Sequence, residues 1–319
     1  MGSTNYISSV AIVGATGHSG SFMVDFLLKT GKHTITALTR GNSSNKLPDG
    51  VITKKIDYDS PETLVEALKG QDALVIILSS HAPDGTELKL VNAAGEAGVK
   101  WILPNDWSPD STNEGLLKDV FVFPPKSAIR KAITDIGKSH YIGVSTGFWY
   151  EWSLAIEPAF GIDLLNHKAT FFDDGEIKIS TSTWPQVGRA VASLLSLPIK
   201  SEDQACLENF KDQVIYIKSF TVSQKDMWAS ALRMTDTNEE DWTITTEPSQ
   251  ERFMGGVQDA KEGNRFGFAK MLYTRVFYPD GCGNIERKGP LNKLLGLPEE
   301  DIDEATKVAI HRAKVSPWS

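Results

Sequence analysis

The chain has 319 residues, 40% of them hydrophobic, which is enough for one large domain or for a nucleotide-binding domain with a smaller lobe packed on it. A net charge of −8 and a pI near 5.4 argue against a surface that tracks nucleic-acid phosphates, and no stretch is long and apolar enough to predict a membrane span. Cys206 and Cys282 are far apart and lack histidine neighbours, so no disulfide framework and no metal site are expected.

The opening "MGSTNY" formally resembles an N-myristoylation start, but the plainer expectation is an unmodified cytoplasmic terminus that enters a strand at about Tyr6. The run "YISSVAIVG" is short and rich in β-branched residues, which predicts a buried strand. Phe22, Val24, Phe26, Leu27 and Leu28 follow as one face of a helix. Between strand and helix stand Gly14, Gly17 and Gly20, spaced three apart. Glycine weakens either element, so three at such a junction imply that something approaches the main chain closely. Free amides and the positive end of a helix favour an anion there, and a dinucleotide pyrophosphate is the usual occupant.

Strands and helices then alternate. "HTITALTR" and "VITKKI" read as strands around the polar loop "GNSSNKLPDG". "SPETLVEALKG" reads as a helix with Ser60 as its cap, Pro61 at its first position and Gly70 closing it. "DALVIILSS" is nearly continuously apolar, as in a strand covered on both faces. A helix ("GTELKLVNAAGEAGVK"), a fifth strand ("WILPND"), a helix ("PKSAIRKAITDIGKS") and a sixth strand ("YIGVSTG") complete the pattern. This rhythm predicts an α/β fold, a doubly wound parallel sheet of Rossmann type whose ligand crevice lies beyond the carboxyl ends of the strands.

Past Gly147 the pattern changes. "ATFFDDGEIKIS" reads as a hairpin around Asp174-Gly175, "TWPQVGRAVASLLSLP" as a helix, "QVIYIKSF" as a strand and "SQKDMWASALRM" as a helix capped by Ser223. The expected division is a dinucleotide-binding domain over residues 1–150 and a mixed α/β substrate lobe over 151–319, with one or two strands returning to the main sheet.

The end of the second strand is where an acid would accept the ribose 2′-hydroxyl of NAD, or an arginine would take the 2′-phosphate of NADP. Arg40 holds that position and the next acid is Asp49, so NADP(H) is the expected cofactor, with Lys46 a possible second charge. The alternative is an ordinary loop arginine. None of the seven tyrosines has a lysine four residues on, which closes the usual short-chain dehydrogenase route to a catalytic phenol.

The stretch "FVFPPKSAIRKAITDIGKSHYIGVSTGFWYEW", taken with "VGATGHSGSF", "LTR" and "WILPNDW", resembles the NmrA-like family and its isoflavone-reductase-like branch of atypical short-chain dehydrogenases. Lys126, Arg130 and Ile133 match that branch's K-x-x-x-R-x-x-I helix. The resemblance implies an NADPH-dependent reductase of a small aromatic or alkaloid-like metabolite. It also implies that Lys126 lies beside the nicotinamide ribose and substrate and assists protonation. Pro124 and Pro125 put Lys126 on a helix's first turn, where an ammonium can neutralise charge that develops on a substrate; a solvated helix lysine is the alternative. Expected cofactor-binding residues are Gly14, Thr16, Gly17, His18, Ser19, Gly20, Arg40, Lys46, Ser79, Ser80, Asn105, Lys126 and Gly147. Expected substrate-binding residues are His81, Trp107, Phe123, Phe148, Trp149 and Trp152, the aromatics suggesting a flat ligand and His81 either a second acid or a loop histidine.

One departure stands out: where plant reductases carry "PSEFG", this chain has Pro104, Asn105, Asp106, Trp107 and Ser108, which points to a different substrate. Two other functions stay open on the same scaffold, a dinucleotide-binding sensor or regulator without turnover and a non-redox cyclase or isomerase. The expected partner is a small molecule, with neither nucleic acid nor membrane, and the oligomeric state is left as monomer or homodimer.

Overall fold

A computed structural model describes residues 5–40, 46–79 and 82–318. The first half supplies β1 (Ser9–Val13), α1 (His18–Thr30), β2 (Thr34–Thr39), β3 (Val51–Lys55), α2 (Pro61–Leu68), β4 (Ala73–Ile76), α3 (Thr86–Ala97) and β5 (Trp101–Leu103). It continues with α4 (Glu114–Asp119), α5 (Pro124–Ile136) and β6 (His140–Ser145). The second half holds β7 (Phe148–Trp149), α6 (Tyr150–Leu154), α7 (Glu157–Phe160), β8 (Ile162–Asp163), β9 (Lys168–Phe172), β10 (Ile179–Ser182) and α8 (Trp184–Leu195). After these come β11 (Gln213–Tyr216), β12 (Phe220–Val222), α9 (Gln224–Thr235), β13 (Thr243–Glu247), α10 (Ser249–Lys261), α11 (Arg265–Thr274) and α12 (Ile302–Val315).

The main sheet has the order β11-β6-β5-β4-β1-β2-β3, and every pairing in it is parallel. This is the doubly wound Rossmann arrangement, with the order reversing between β1 and β4. Alternation along the strands splits the core into two layers. Val10, Ile12, Ile35 and Val75 pack with Met23, Leu27, Val187 and Leu194 under α1 and α8; Ala11, Val13, Leu74 and Ile102 pack with Leu64, Leu90 and Ile133 under α2, α3 and α5. A third cluster, including Tyr150, Phe160, Phe172 and Phe277, fills the second half.

Two local expectations are corrected. The segment around Asp174-Gly175 does turn, with the Gly175 N–H donating to the Phe172 carbonyl at 3.0 Å, but it is not a hairpin. Both edges of β9 are taken, by β8 and β13, so β10 pairs instead with β7 and β12 in a separate sheet. The run "QVIYIKSF" is likewise two strands: β11 extends the main sheet, and the chain then leaves it to form β12 on β10. Ser60 sits at the N-cap of α2, yet its hydroxyl bonds Glu62 rather than a helix amide. Ser223 does cap α9, in a reciprocal box with Asp226. Helix α4 was not expected from the sequence; Asn113 caps it through the Leu116 amide.

At the first turn the three glycines have distinct reasons. Gly14 has φ +81°, and a Cβ there would lie 2.1 Å from the Ile77 carbonyl oxygen. A Cβ on Gly20 would lie 2.1 Å from the Gly14 carbonyl oxygen, so α1 can rest on the turn only with hydrogen at that position. At Gly17, which is exposed, a Cβ would meet a single atom within 4 Å, the Gly14 carbonyl oxygen at 3.3 Å, a mild crowding. We therefore expect Gly20→Ala to destabilise the fold by about 1–3 kcal/mol through overpacking, and Gly17→Ala by less than about 1 kcal/mol. Urea unfolding of both variants checks the ranking, and equal losses would contradict it.

Candidate active site

The carboxyl ends of β1, β4, β5 and β6 lie side by side along one edge of the sheet. Gly17 is the N-cap of α1, no side chain caps that helix, and its first turn contains no acid. The amides of the first turn are thus offered outward in a field that favours an anion. Gly17 and His18 are exposed, Thr16 is half-buried, and Ser19 and Gly20 are buried beneath the turn. A dinucleotide pyrophosphate fits these residues, because the one glycine facing outward is also the one with space beyond it. Arg40, exposed at the end of β2, lies close enough to Tyr58 to oppose the burial that raises its phenol pKa, and Lys46 is exposed on the same loop.

Asn105, at the exit of β5, ties three elements together. Its side-chain oxygen accepts the Leu78 N–H at 3.1 Å beyond β4, and its own N–H donates to Glu87 Oε1 at 2.6 Å on the first turn of α3. Its carbonyl accepts from Lys126 Nζ at 2.5 Å. Lys126 is on the first turn of α5, behind Pro124 and Pro125, so its ammonium is held at the mouth of β5. Burial pushes the Lys126 amine below the usual lysine range, while the nearby Asp106 and Glu87 carboxylates favour its charged form and Arg130 opposes it. Burial also raises Glu87, against the Asn105 amide and Lys126, which favour its ionised form. One helical turn on, buried Arg130 pairs with Asp106, and Asp106 accepts from Ser111 Oγ at 2.6 Å. Asp106 fits there because Gly143 has no side chain: a Cβ would lie 2.7 Å from its Oδ2. Lys126, Arg130 and Ile133 thus make three separate contacts: with the Asn105 carbonyl at the exit of β5, in a buried ion pair, and in the core under the sheet.

The aromatic candidates are mostly packed inward. Trp107 is buried and its indole N–H donates to the Ile76 carbonyl at 2.8 Å, bracing β4. Phe123 is in the core of the second half, Phe148 stacks on Tyr273 at 3.9 Å, and Trp152 packs toward Tyr273 and Trp318. Trp149 is half-buried. Gly147, with φ +64°, lets β10 cross closely, since a Cβ would strike the Ser180 carbonyl. Ser79 is exposed and its carbonyl accepts the Ala82 N–H at 3.0 Å. Ser80 and His81 lie outside the described residues.

Sequence reading missed two acids here. Glu87 carried no signal beyond being an acid on a helix's first turn. Glu151, on α6, is buried; its Oε1 accepts the Trp184 N–H at 3.0 Å, and Oε2 has no hydrogen-bond partner among the described residues. Burial, reinforced by Glu300, pushes its carboxyl up to about 7.

The NmrA-like family pattern matches residues 7–193. The chain belongs to the NmrA-like family. Over 306 residues this NmrA-like protein is 25% identical to one named oxidoreductase aprR from Aspergillus flavus, covering 92% of this chain and 96% of that one. Quinone oxidoreductase 2 from Escherichia coli is 28% identical over 194 residues, covering 59% of this chain and 64% of that one. Among solved structures, the NADPH-dependent quinone oxidoreductase from Escherichia coli aligns with TM-score 0.70 at 22% identity, over 93% of this chain and 98% of that one. A structure described as AtPrR2 with NADP+ and (+)pinoresinol aligns with TM-score 0.74 at 19% identity, over 97% and 100%. These structures share the fold of the NmrA-like chain. No helix among its described residues is long and apolar enough to cross a membrane.

The Glu151 carboxyl gives a stability test. A folded pKa near 7 lies above the unfolded carboxylate value, so the native state holds a proton that the unfolded state has released, and stability falls as pH rises between the two. Glu151→Gln removes that loss. Between pH 5 and pH 8 the stability difference between variant and wild type should shift by about 2–3 kcal/mol in favour of the variant. Denaturant unfolding at both pH values measures it, and a pH-independent difference would contradict the assignment.

Proposed function

We propose that this NmrA-like chain is an NADPH-dependent oxidoreductase of the isoflavone-reductase type, reducing a small aromatic or alkaloid-like metabolite. Residues 1–150 would bind the dinucleotide and 151–319 would shape the substrate pocket. The observation that carries the reading is Lys126: a partly desolvated ammonium at the mouth of β5, one strand removed from the open glycine turn of β1. The names of relatives support the class, since they include oxidoreductases from fungi and a quinone oxidoreductase from a bacterium.

The chain's own residues divide the work. The amides of α1's first turn bind the pyrophosphate, and Arg40 with Lys46 takes the 2′-phosphate. NADPH, when bound, supplies the hydride. Addition of hydride leaves negative charge on the substrate's oxygen or nitrogen, which Lys126 neutralises by hydrogen bonding and proton donation. An ammonium has three N–H donors, and the Asn105 carbonyl uses one, which fixes the direction of the others. Burial makes the amine a stronger acid than a solvated lysine, while Glu87 and Asp106 keep it charged until a base of higher affinity arrives. Solvent then returns the proton. Glu87 touches neither reactant in this scheme; by holding the Asn105 amide it positions the carbonyl that orients Lys126.

Two outcomes are expected. NADPH should bind at least about tenfold more tightly than NADH, with Arg40→Asp narrowing or reversing the gap in calorimetric titrations. Equal affinities in the wild type would contradict the assignment of Arg40. Lys126→Ala should keep NADPH affinity within about tenfold while turnover of a reducible aromatic or quinoid substrate drops by about two to four orders of magnitude. Lys126→Arg should recover little, because a guanidinium holds its proton. The wild-type rate should fall on the alkaline side with a midpoint below the ordinary lysine pKa, and this limb should vanish in the alanine variant. Wild-type turnover in Lys126→Ala would remove the lysine from the chemistry, and product formed without NADPH consumption would favour a non-redox reaction.

A further inference from the structure

Helices α1 and α8 run side by side in the same direction. His18 stacks on Trp184 with ring centroids 4.8 Å apart, a Cβ on Gly188 would strike the Phe22 backbone, and Arg189 lies over the Phe26 ring at 5.3 Å. The contacts advance together along both helices, so two positive helix ends stand next to each other beyond the carboxyl edge of the sheet. They are treated differently. At α8 the Thr183 hydroxyl accepts the Gln186 amide at 3.1 Å and Glu151 accepts the Trp184 amide at 3.0 Å, so that end is satisfied from within. At α1 no side chain caps the first turn.

The residue that links these ends comes from the far end of the chain. Arg312, in the last turn of α12, has its guanidinium carbon 5.1 Å from the centre of the Trp184 ring. Its charge reaches both His18, whose protonation it disfavours, and Glu151, whose ionised form it favours. Two acids face this corner. Glu300 is engaged by Arg189, Thr183 and Ser219, and Glu151 accepts the Trp184 amide through one of its two oxygens.

We propose that Arg312 completes the phosphate-binding turn: α12 delivers a guanidinium to the pyrophosphate over the N-terminus of α1, and Trp184 is the plate that sets it and His18 in register. This rests on reading the glycine turn as a dinucleotide site. Its content is that the last helix, outside the sheet and its crossovers, contributes directly to cofactor affinity. The neighbouring Glu151–Trp184 hydrogen bond then has a positioning role, since it fixes the first residue of α8 against which Arg312 and His18 rest.

The test is calorimetry with NADPH and with adenosine 2′-monophosphate, which carries the 2′-phosphate but no pyrophosphate. Arg312→Ala should weaken NADPH by about tenfold or more, and Arg312→Lys should recover part of the loss by restoring the charge. NADPH binding by Arg312→Ala should also depend less steeply on salt than in the wild type. Adenosine 2′-monophosphate should bind wild type and Arg312→Ala alike within about twofold while Arg40→Asp weakens it, which separates a local phosphate contact from general damage. Circular dichroism establishes that each variant is folded. Arg312→Ala binding NADPH within about twofold of wild type, or losing both ligands in proportion, would overturn the proposal. Failure of the wild type to bind NADPH at all would overturn the dinucleotide reading itself, a result distinct from either.

Discussion

The close approach between Gly20 and the Gly14 carbonyl sets the geometry from which the rest follows. With only hydrogen at position 20, the first turn of α1 lies directly on the turn that leaves β1, and its amides emerge at the edge of the sheet. That placement lets α1 run tight against α8, brings Trp184 onto His18, and leaves Gly17 as the outward residue. Any side chain at position 20 would lift the helix and misplace the positive end on which the proposed pyrophosphate site depends.

A second constraint is electrostatic. Lys126, Glu87, Asp106 and Arg130 sit within reach of each other at the exits of β4 and β5, two cations and two anions in a partly desolvated group. Arg130 and Asp106 neutralise each other in the interior with Ser111 as a third partner. Lys126 and Glu87 are instead bridged by Asn105, through its carbonyl and its amide, so neither is fully compensated. An incompletely compensated, oriented ammonium at a strand exit is the arrangement a proton donor requires, whereas the paired arginine serves the fold. The same helix turn thus separates a structural cation from the proposed proton donor by four residues.

Much of the fold could be read in the sequence because parallel strands buried on both faces give short apolar runs, and amphipathic helices with proline starts and glycine stops punctuate them. Residues 6–147 follow this pattern. The second half was harder to read, since the Asp174-Gly175 turn signal is local while the pairing of β9 and β10 was decided by distant strands that had already filled the edges of β9. The site divides in the same way. Gly14, Gly17, Gly20, Arg40 and Lys126 stand in patterns tied to backbone geometry or to a helix start. Glu87, Glu151 and Arg312 are brought in by tertiary packing and have no local signature. The aromatic residues between 107 and 152 give a less specific signal: their density suggests a ligand wall, and Trp107, Phe123 and Phe148 are buried, where large apolar side chains also gain by leaving water.

The central claim is that the open end of α1 and the ammonium of Lys126 frame a single reduction site. A crystal structure of the chain grown with NADP+ tests this most directly. The account predicts the pyrophosphate on the first-turn amides beginning at Gly17, the 2′-phosphate against Arg40, and the nicotinamide end beside Lys126. Density that placed the nicotinamide end away from β5, or left the glycine turn empty while the dinucleotide bound elsewhere, would contradict it.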